Sequence, residues 1–283
     1  MTTMIVDSHL DYLTVSYASV NKPSELGFLS GGVFGAIENI KPFPHYDSAF
    51  KLKCGGTLNL SSDSLQGSRL DLSGEPLQYL RDVGIRDAQI LMICGDNELK
   101  KRTTRIDYCW TIENAGSVRH CLNHWLAGRA KTTFRNAPLD TGAIDSRKGH
   151  TLEFGSKKSE QRVVVYDKGA EMKDLSAALI RVELRTRAPF AGEFYGDCLK
   201  NNVPMAARTR LKSLLDFPNL QWWQRATSGE KCELGTVAKS DSKWRRWLGT
   251  QVKESIRQHW RENMADDREF ISQWLQQIAD FCV

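Results

Sequence analysis

Long apolar runs are missing from this chain. A membrane-spanning helix needs about 20 consecutive apolar residues, and no stretch of the 283 residues approaches that length. Residues 1–15 include Asp7, His9 and Asp11 in place of a basic start and an apolar segment, so we expect no signal peptide. These absences predict a protein without a membrane partner, located in the cytoplasm.

Paired cysteines and two common functional motifs are missing as well. The seven cysteines include no C-x-x-C pair, and an odd number without an export signal indicates reduced thiols. His120 and His124 lie four residues apart, but the glutamate of H-E-x-x-H is absent, which disfavours a zinc hydrolase. The chain also lacks G-x-x-x-x-G-K-S/T, so we expect no nucleotide hydrolysis.

Basic residues exceed acidic ones only moderately. The formal charge of +5 favours a nucleic-acid partner weakly. Two basic groups are more informative, although each also fits an ordinary solvated surface. Tryptophans interleave with the second group, where they either stack on bases or pack in a core. The first group is Arg147, Lys148, Lys157, Lys158, Arg162 and Lys168, and the second is Lys243, Arg245 and Arg246.

Apolar periodicity favours an α+β fold with a central, mainly antiparallel sheet, flanking helices and a helical C-terminal region. We expect a sheet domain over residues 1–190 and a helical region over 191–283 for DNA recognition or oligomerisation. The final helix either packs on the body or forms a homodimer. Predicted strands cover 10–20, 56–60, 68–72 and 104–112, predicted helices begin at 76 or cover 117–130, 205–215, 244–264 and 269–281, predicted loops cover 131–150 and 228–242, and 87–101 fits a helix or a strand.

A single tyrosine ends the most distinctive predicted strand. Three valines at 163–165 favour a strand, and the Gly- and Ser-containing segment 155–159 before them favours a turn. The two together predict a hairpin. Since side chains alternate along a strand, Tyr166, Val164 and Arg162 share one face, so a phenol and a guanidinium could meet the same phosphate.

This hairpin and two other segments resemble the Rep_trans family. That family contains rolling-circle replication initiators of small plasmids and some phages, and it is related to conjugative relaxases. The resemblance covers roughly residues 5–190, and the order and spacing of the pieces carry it. The pieces are Arg105-Ile106-Asp107, the turn 155–159, Arg162 through Tyr166-Asp167-Lys168, and Arg181-Val182-Glu183.

The resemblance implies an enzyme that nicks one DNA strand at a replication origin in a bacterial host. In this family the tyrosine joins the 5′-phosphate, and Tyr166 is the matching position. The phosphotyrosine conserves the energy of the broken bond and leaves a 3′-hydroxyl that a polymerase extends. A host helicase would unwind the DNA, because the chain lacks a nucleotide-hydrolysis motif. The histidine-hydrophobic-histidine triplet of another class of nicking enzymes is absent.

Carboxylates on the predicted strands indicate a metal site. A buried carboxylate without a partner is costly, and both Asp107 and Glu183 lie on strands. We expect them to hold Mg²⁺ or Mn²⁺ as a Lewis acid on the scissile phosphate, with Asp11 as a third ligand. The alternative is that Asp107 forms a structural ion pair with Arg105 or Arg181.

Several cations are expected to contact DNA. Lys168 and Arg162 would neutralise phosphate charge in the transition state. The C-terminal helices or the loop 131–150 would read the origin, in double-stranded and single-stranded form. The expected DNA-binding residues are Arg105, Lys157, Lys158, Arg181, Lys243, Arg245 and Arg246.

Two other functions stay open at this stage. A conjugative relaxase would nick a transfer origin with the same chemistry and different partners. A DNA-binding regulator would keep the fold without cleaving DNA. Thr111 supports the regulator, because the family often places an acid there, and Glu113 is the nearby carboxylate that could replace it.

Overall fold

The computed structural model describes residues 4–18, 20, 22–29, 32–63, 66–95, 100–136, 138–141, 149–174, 178–230, 232 and 234. The chain divides into two compact units. Unit 1 comprises the described residues of 1–11 and 105–236, and unit 2 comprises those of 12–104. The elements in chain order are β1 (Met4–Tyr17), β2 (Ala36–Ile40), β3 (Ser48–Leu52), β4 (Thr57–Leu60), β5 (Ser68–Leu72), α1 (Gly74–Asp82), α2 (Asp87–Gly95), β6 (Lys100–Glu113), α3 (Arg119–Leu126), β7 (Lys131–Thr132), β8 (Leu139–Thr141), β9 (Thr151–Phe154), β10 (Gln161–Asp167), α4 (Lys168–Glu171), β11 (Leu179–Arg187), α5 (Phe190–Lys200), α6 (Val203–Leu214), β12 (Leu215–Asp216) and α7 (Gln221–Ala226).

Unit 2 is an antiparallel sheet with two helices, α1 and α2. Its strand order is β2-β3-β4-β5-β1, where β1 contributes residues 12–17. Leu13 on β1 lies opposite Leu72 on β5, and both side chains are fully buried. The phenol of Tyr17 donates a 2.8 Å hydrogen bond to the carbonyl oxygen of Cys94 in α2. This bond fastens the helix to the end of the strand.

Unit 1 contains the predicted tyrosine hairpin. Its strand order is β1-β6-β11-β10-β9-β8, and the pairs from β6 to β8 are antiparallel. Alternation gives the central strands an apolar face, where Val163 lies opposite both Phe154 and Leu184. The ring of Phe217 lies 6.0 Å from that of Phe154 and 5.0 Å from that of Trp223, which connects the sheet to α7.

The predicted α+β class is confirmed, and most predicted elements of the first 215 residues are present. The strand at 68–72 matches β5, and the ambiguous stretch 87–101 divides into α2 and the start of β6. The predicted loop 131–150 was wrong in part, because it contains β7 and β8. The region expected to be helical after residue 190 also contains a short strand, because β12 pairs with β7. Local periodicity cannot show a two-residue pairing between such distant segments.

Other expectations fall outside what the structure describes. The predicted helices 244–264 and 269–281, and most of the predicted linker 228–242, lie beyond the described residues. The division near residues 190–200 stays a prediction. In the described part of the chain, every helix falls short of the length and apolarity that a membrane crossing requires.

Candidate active site

One face of the unit 1 sheet is polar, and we call it the polar face. The strand register identifies the residues of this face, since Glu183 on β11 lies opposite Val164 on β10 and Cys109 on β6. Side chains two residues away along each strand point to the same side. The polar face therefore contains Asp107, Cys109 and Thr111 of β6, Arg181, Glu183 and Arg185 of β11, Arg162 and Tyr166 of β10, and Thr151 and Glu153 of β9.

Tyr166 and Glu183 form the central contact of the polar face. The phenol of Tyr166 donates a 2.8 Å hydrogen bond to Oε1 of Glu183. The other carboxylate oxygen, Oε2, accepts hydrogen bonds from Nε and Nη2 of Arg185 at 2.8 and 2.6 Å. Glu183 is only 3% exposed. Arg185 therefore fixes the orientation of a carboxylate that faces the phenol.

Tyr166 lies at the end of its strand, immediately before a short helix. Asp167 ends β10, and its Oδ1 accepts a 2.9 Å hydrogen bond from the backbone nitrogen of Ala170, which caps α4. Gly149 has φ +69°, and a Cβ at that position would lie 2.8 Å from Cβ of Asp167. The backbone before β9 can approach the tyrosine segment this closely because residue 149 has no side chain.

The environment of Tyr166 keeps its phenol protonated. Burial raises the pKa of Tyr166 well above its ordinary value of about 10, and the negative charge of Glu183 raises it further. The positive charge of Arg181 acts in the opposite direction on this pKa. A neutral phenol is a weak nucleophile. Attack by its oxygen therefore needs a proton acceptor, and Glu183 is already in contact.

Asp107 is held in an ion pair with Arg105. Nε of Arg105 donates to Oδ2 of Asp107 at 3.0 Å, and Nη2 makes a second contact to the same oxygen. The carboxylate is 1% exposed. Burial raises the pKa of Asp107, while the guanidinium of Arg105 opposes that rise. The structure thus shows the ion pair that the sequence left open as an alternative, and a metal role for Asp107 stays a prediction.

A second group on the same side of the sheet has the donor atoms of a metal site. His9, Asp11 and Cys109 each offer a ligand atom, and these atoms all lie within 4.8 Å of one another. Nδ1 of His9 also lies 2.6 Å from Oδ2 of Asp7. Burial raises the pKa of the Cys109 thiol, so the thiolate would form only with a cation beside it.

Of these three residues, only Asp11 was expected from the sequence as a metal ligand. His9 and Asp11 lie two residues apart on β1, and Asp107 and Cys109 lie two residues apart on β6. This spacing places each pair on one face of its strand, and it was the signal that the sequence offered. It was not decisive, because β1 and β6 are far apart in sequence. Asp107 and Glu183 were expected as the main ligands, but each binds an arginine, whereas His9, Asp11 and Cys109 come together.

The expected cations have different surroundings. Arg181 donates from Nε to Oγ1 of Thr111 at 3.2 Å, and its Nη1 lies 3.5 Å from Oδ1 of Asp11. Thr111, where an acid was expected, thus orients Arg181. Nη1 of Arg162 donates to Oε2 of Glu153 at 3.1 Å, so Arg162 shares the face of Tyr166 but contacts a different carboxylate.

The remaining expected cations lie at the edge of the site or outside the described residues. Nζ of Lys168 lies 6.0 Å from the ring centroid of Tyr166 and pairs with Glu171. Lys157 and Lys158 are exposed in the turn between β9 and β10. Lys243, Arg245 and Arg246 lie outside the described residues, so their DNA-binding role stays a prediction.

Asp11→Asn is expected to raise the melting temperature at neutral pH in the presence of EDTA. Burial, followed by the charge of Glu183, raises the pKa of Asp11 in the folded protein. The wild type therefore loses stability as pH rises through that folded pKa, and the uncharged amide does not. Below the unfolded pKa of about 4 the two proteins should melt together. Thermal melts across this pH range measure the difference.

Asp47→Asn is the matched control, with the opposite sign. A hydrogen bond from the backbone nitrogen of Ser62 lowers the pKa of Asp47, so its carboxylate stabilises the fold above the unfolded pKa. Its amide variant should gain nothing at neutral pH. If Asp11→Asn instead melted lower than the wild type in EDTA, the carboxylate would be favourably paired, and Arg181 would be its partner.

Comparison with known proteins establishes the fold. No protein-family model matches the chain, and no curated protein sequence does. A solved structure of the rolling circle replication initiator protein from Geobacillus stearothermophilus is similar, with a TM-score of 0.61 and 15% sequence identity. The match covers 78% of this chain and 95% of that one. At this identity the two proteins share a fold, and membership of the Rep_trans family stays a prediction.

Proposed function

We propose that this protein nicks and rejoins one DNA strand at a replication origin and thereby starts rolling-circle replication of a plasmid or phage. The observation that carries the proposal is the hydrogen bond from the phenol of Tyr166 to Glu183 on a face lined with arginines. A fold shared with a rolling circle initiator supports it. The resemblance of the sequence to Rep_trans proteins supports it independently.

The proposed reaction is a transesterification at phosphorus. The phenolic oxygen of Tyr166 attacks the scissile phosphate, its proton passes to Glu183, and the bond from phosphorus to the 3′-oxygen breaks. The departing oxygen takes up a proton and becomes a 3′-hydroxyl. The product is a 5′-phosphotyrosine, which conserves the bond energy. The same 3′-hydroxyl can therefore attack it to rejoin the strand.

The cations near Tyr166 would stabilise the charge that develops on the phosphate. Arg181 lies opposite Tyr166 in the strand register, and Lys168 lies two residues after Tyr166 in the chain. Fixed cations beside developing anionic oxygens need no reorganisation during the reaction. Arg162 lies further from the phenol along the same face, where its guanidinium would contact a flanking phosphate.

The donor set of His9, Asp11 and Cys109 fits a divalent cation. When bound, such a cation supplies Lewis-acid polarisation of the scissile phosphate. Imidazole and thiolate ligands favour transition metals, whereas Mg²⁺ prefers oxygen ligands. Of the two cations expected from sequence, the set therefore fits Mn²⁺ better than Mg²⁺. In this arrangement Glu183 accepts the proton and is not a metal ligand.

Glu183→Gln is expected to slow nicking by about 100-fold to 10,000-fold at neutral pH while leaving DNA affinity nearly unchanged. The amide keeps the size of the side chain but cannot accept the phenolic proton. Single-turnover nicking of an oligonucleotide, measured from neutral to alkaline pH, tests this. The variant rate should rise with pH, since hydroxide then removes the proton.

Glu153→Gln is the matched control for this measurement. Glu153 lies on the same face and pairs with Arg162, and in the strand register it lies opposite Val164, whereas Thr151 lies opposite Tyr166. Its rate should stay within about tenfold of the wild type. Wild-type nicking by Glu183→Gln would show that another group accepts the proton.

The proposed function is tested with a supercoiled plasmid that carries the protein's own replicon. Incubation with Mn²⁺ should give relaxed circles and protein covalently attached to DNA. Binding without nicking would favour the regulator, which Thr111 in place of an acid supports. Nicking only of a transfer origin would favour the relaxase. The proposed partners are origin DNA, a host helicase and a polymerase, in the cytoplasm of a bacterial host.

A further inference from the structure

A cavity in unit 1 lies outside the site described above. It is formed by the side of α6 and the chain that follows α7, and its volume is about 250 Å³. Two pairs of α6 residues four apart in the chain project into it, so the helix presents one polar stripe. The lining residues are Arg208, Thr209, Lys212, Ser213, Thr227, Gly229 and Glu230.

Arg208 has no counter-ion in the described part of the chain. Its Nε is buried and makes no hydrogen bond there, and none of the described carboxylates forms a salt bridge with it. Gly229 has φ +125°, and a Cβ at that position would lie 3.1 Å from Nη2 of Arg208. The backbone therefore closes over the guanidinium. A partly buried cation without an anion is costly, so a bound anion would relieve that cost.

Of the other lining residues, Lys212 adds a second positive charge that could bind an anion. Nζ of Lys212 lies 3.1 Å from Oε1 of Gln224 and 3.9 Å from Oδ1 of Asp216, which holds a second cation at the cavity. The hydroxyl of Thr209 donates to the carbonyl of Met205, so it offers the cavity no free proton. The binding donors are thus Arg208 and Lys212.

Glu230 is the negative residue of the lining, and it weakens the field of the two cations. It is exposed, and it makes no salt bridge with Arg208. A ligand that binds Arg208 would therefore not have to displace a formed ion pair. The lining contains two cations and one carboxylate, and the Asp216 carboxylate lies 3.9 Å from Lys212, so Arg208 is the lining cation without a counter-ion among the described residues.

We propose that this cavity binds a phosphate group through Arg208 and Lys212. A guanidinium offers a planar fork of N–H donors that matches two phosphate oxygens, and an ammonium supplies a point charge for a third. The phosphate belongs either to the DNA backbone or to a free phosphate compound. Binding at this site can be measured with free phosphate alone, so the result is separate from that of the nicking experiments.

The first test measures the melting temperature of the full-length protein against inorganic phosphate and pyrophosphate, with chloride at equal ionic strength as the reference. A ligand that binds only the folded state raises the melting temperature, and the rise grows with the logarithm of its concentration relative to Kd. Arg208→Gln and Lys212→Gln should each weaken binding by about tenfold or more. The controls are Arg225→Gln and Lys200→Gln, which remove exposed cations outside the cavity.

The second test separates the two sources of phosphate. Binding of a fluorescent single-stranded oligonucleotide is followed by anisotropy, with and without competing phosphate. If Arg208→Gln weakens binding of the oligonucleotide as well as binding of phosphate, the DNA backbone occupies the cavity. If the variant weakens only the binding of free phosphate, a small phosphate compound occupies the cavity.

One further variant guards against misfolding, and two outcomes would overturn the proposal. Arg208→Lys keeps the charge without the fork, so its phosphate affinity should lie between those of the wild type and Arg208→Gln. Wild-type protein that melts at the same temperature in phosphate and in chloride would contradict the proposal. Equal loss of phosphate binding in Arg208→Gln and Arg225→Gln would contradict it too.

Discussion

Phenylalanine in place of Tyr166 should reduce nicking by about a thousandfold or more and abolish covalent attachment to DNA. The substitution removes one oxygen, which is both the proposed nucleophile and the donor to Glu183. Oligonucleotide affinity should change by less than about threefold, because the ring and its strand stay in place. The measurements are relaxation of supercoiled plasmid and mass spectrometry of the attached nucleotide, which should map to residue 166.

Tyr79→Phe is the matched control, because that tyrosine lies on α1 and is 40% exposed. It should nick and attach like the wild type. Attachment that persists in Tyr166→Phe would place the nucleophile elsewhere. If the wild type binds the replicon but neither nicks it nor attaches to it, the non-cleaving regulator becomes the better interpretation. The two results are distinguishable, because only the first leaves a covalent adduct.

Cys109→Ser should weaken binding of Co²⁺ or Zn²⁺ by about 100-fold or more. The thiol is one of three donors within 4.8 Å of one another, and burial keeps it protonated until a cation binds. Metal binding should therefore release a proton and form a metal-thiolate bond. With Co²⁺ the wild type should show a thiolate-to-metal charge-transfer band in the near ultraviolet. That band should be missing from the variant.

Cys121→Ser is the control for the metal prediction. Cys121 is also fully buried and its thiol also has a raised pKa, but it lies on α3, outside the donor group. Its variant should keep the charge-transfer band. Suppose instead that Cys109→Ser binds metal normally and that Asp107→Asn does not. The carboxylate site expected from the sequence would then be supported.

The tyrosine hairpin was readable from sequence because its signals are local. Three valines, a turn with glycine and serine, and alternation along one strand are enough to place Tyr166 and Arg162 on one face. The fold is similar to that of a solved rolling circle replication initiator, and membership of the Rep_trans family stays a prediction. The short strands β7 and β12 were not readable, since a two-residue pairing leaves no periodic pattern.

Residue type and spacing along single strands were determined by the sequence itself: a tyrosine after an apolar run, an acid two residues after an arginine on β6, and another on β11. Which of these groups meet was decided by the tertiary structure. Strand pairing brings Tyr166 to Glu183, and Asp107 is held by Arg105 on its own strand. His9 and Cys109 meet only because two strands distant in sequence belong to one unit, and contacts between such strands depend on pairing and register, which no local pattern encodes.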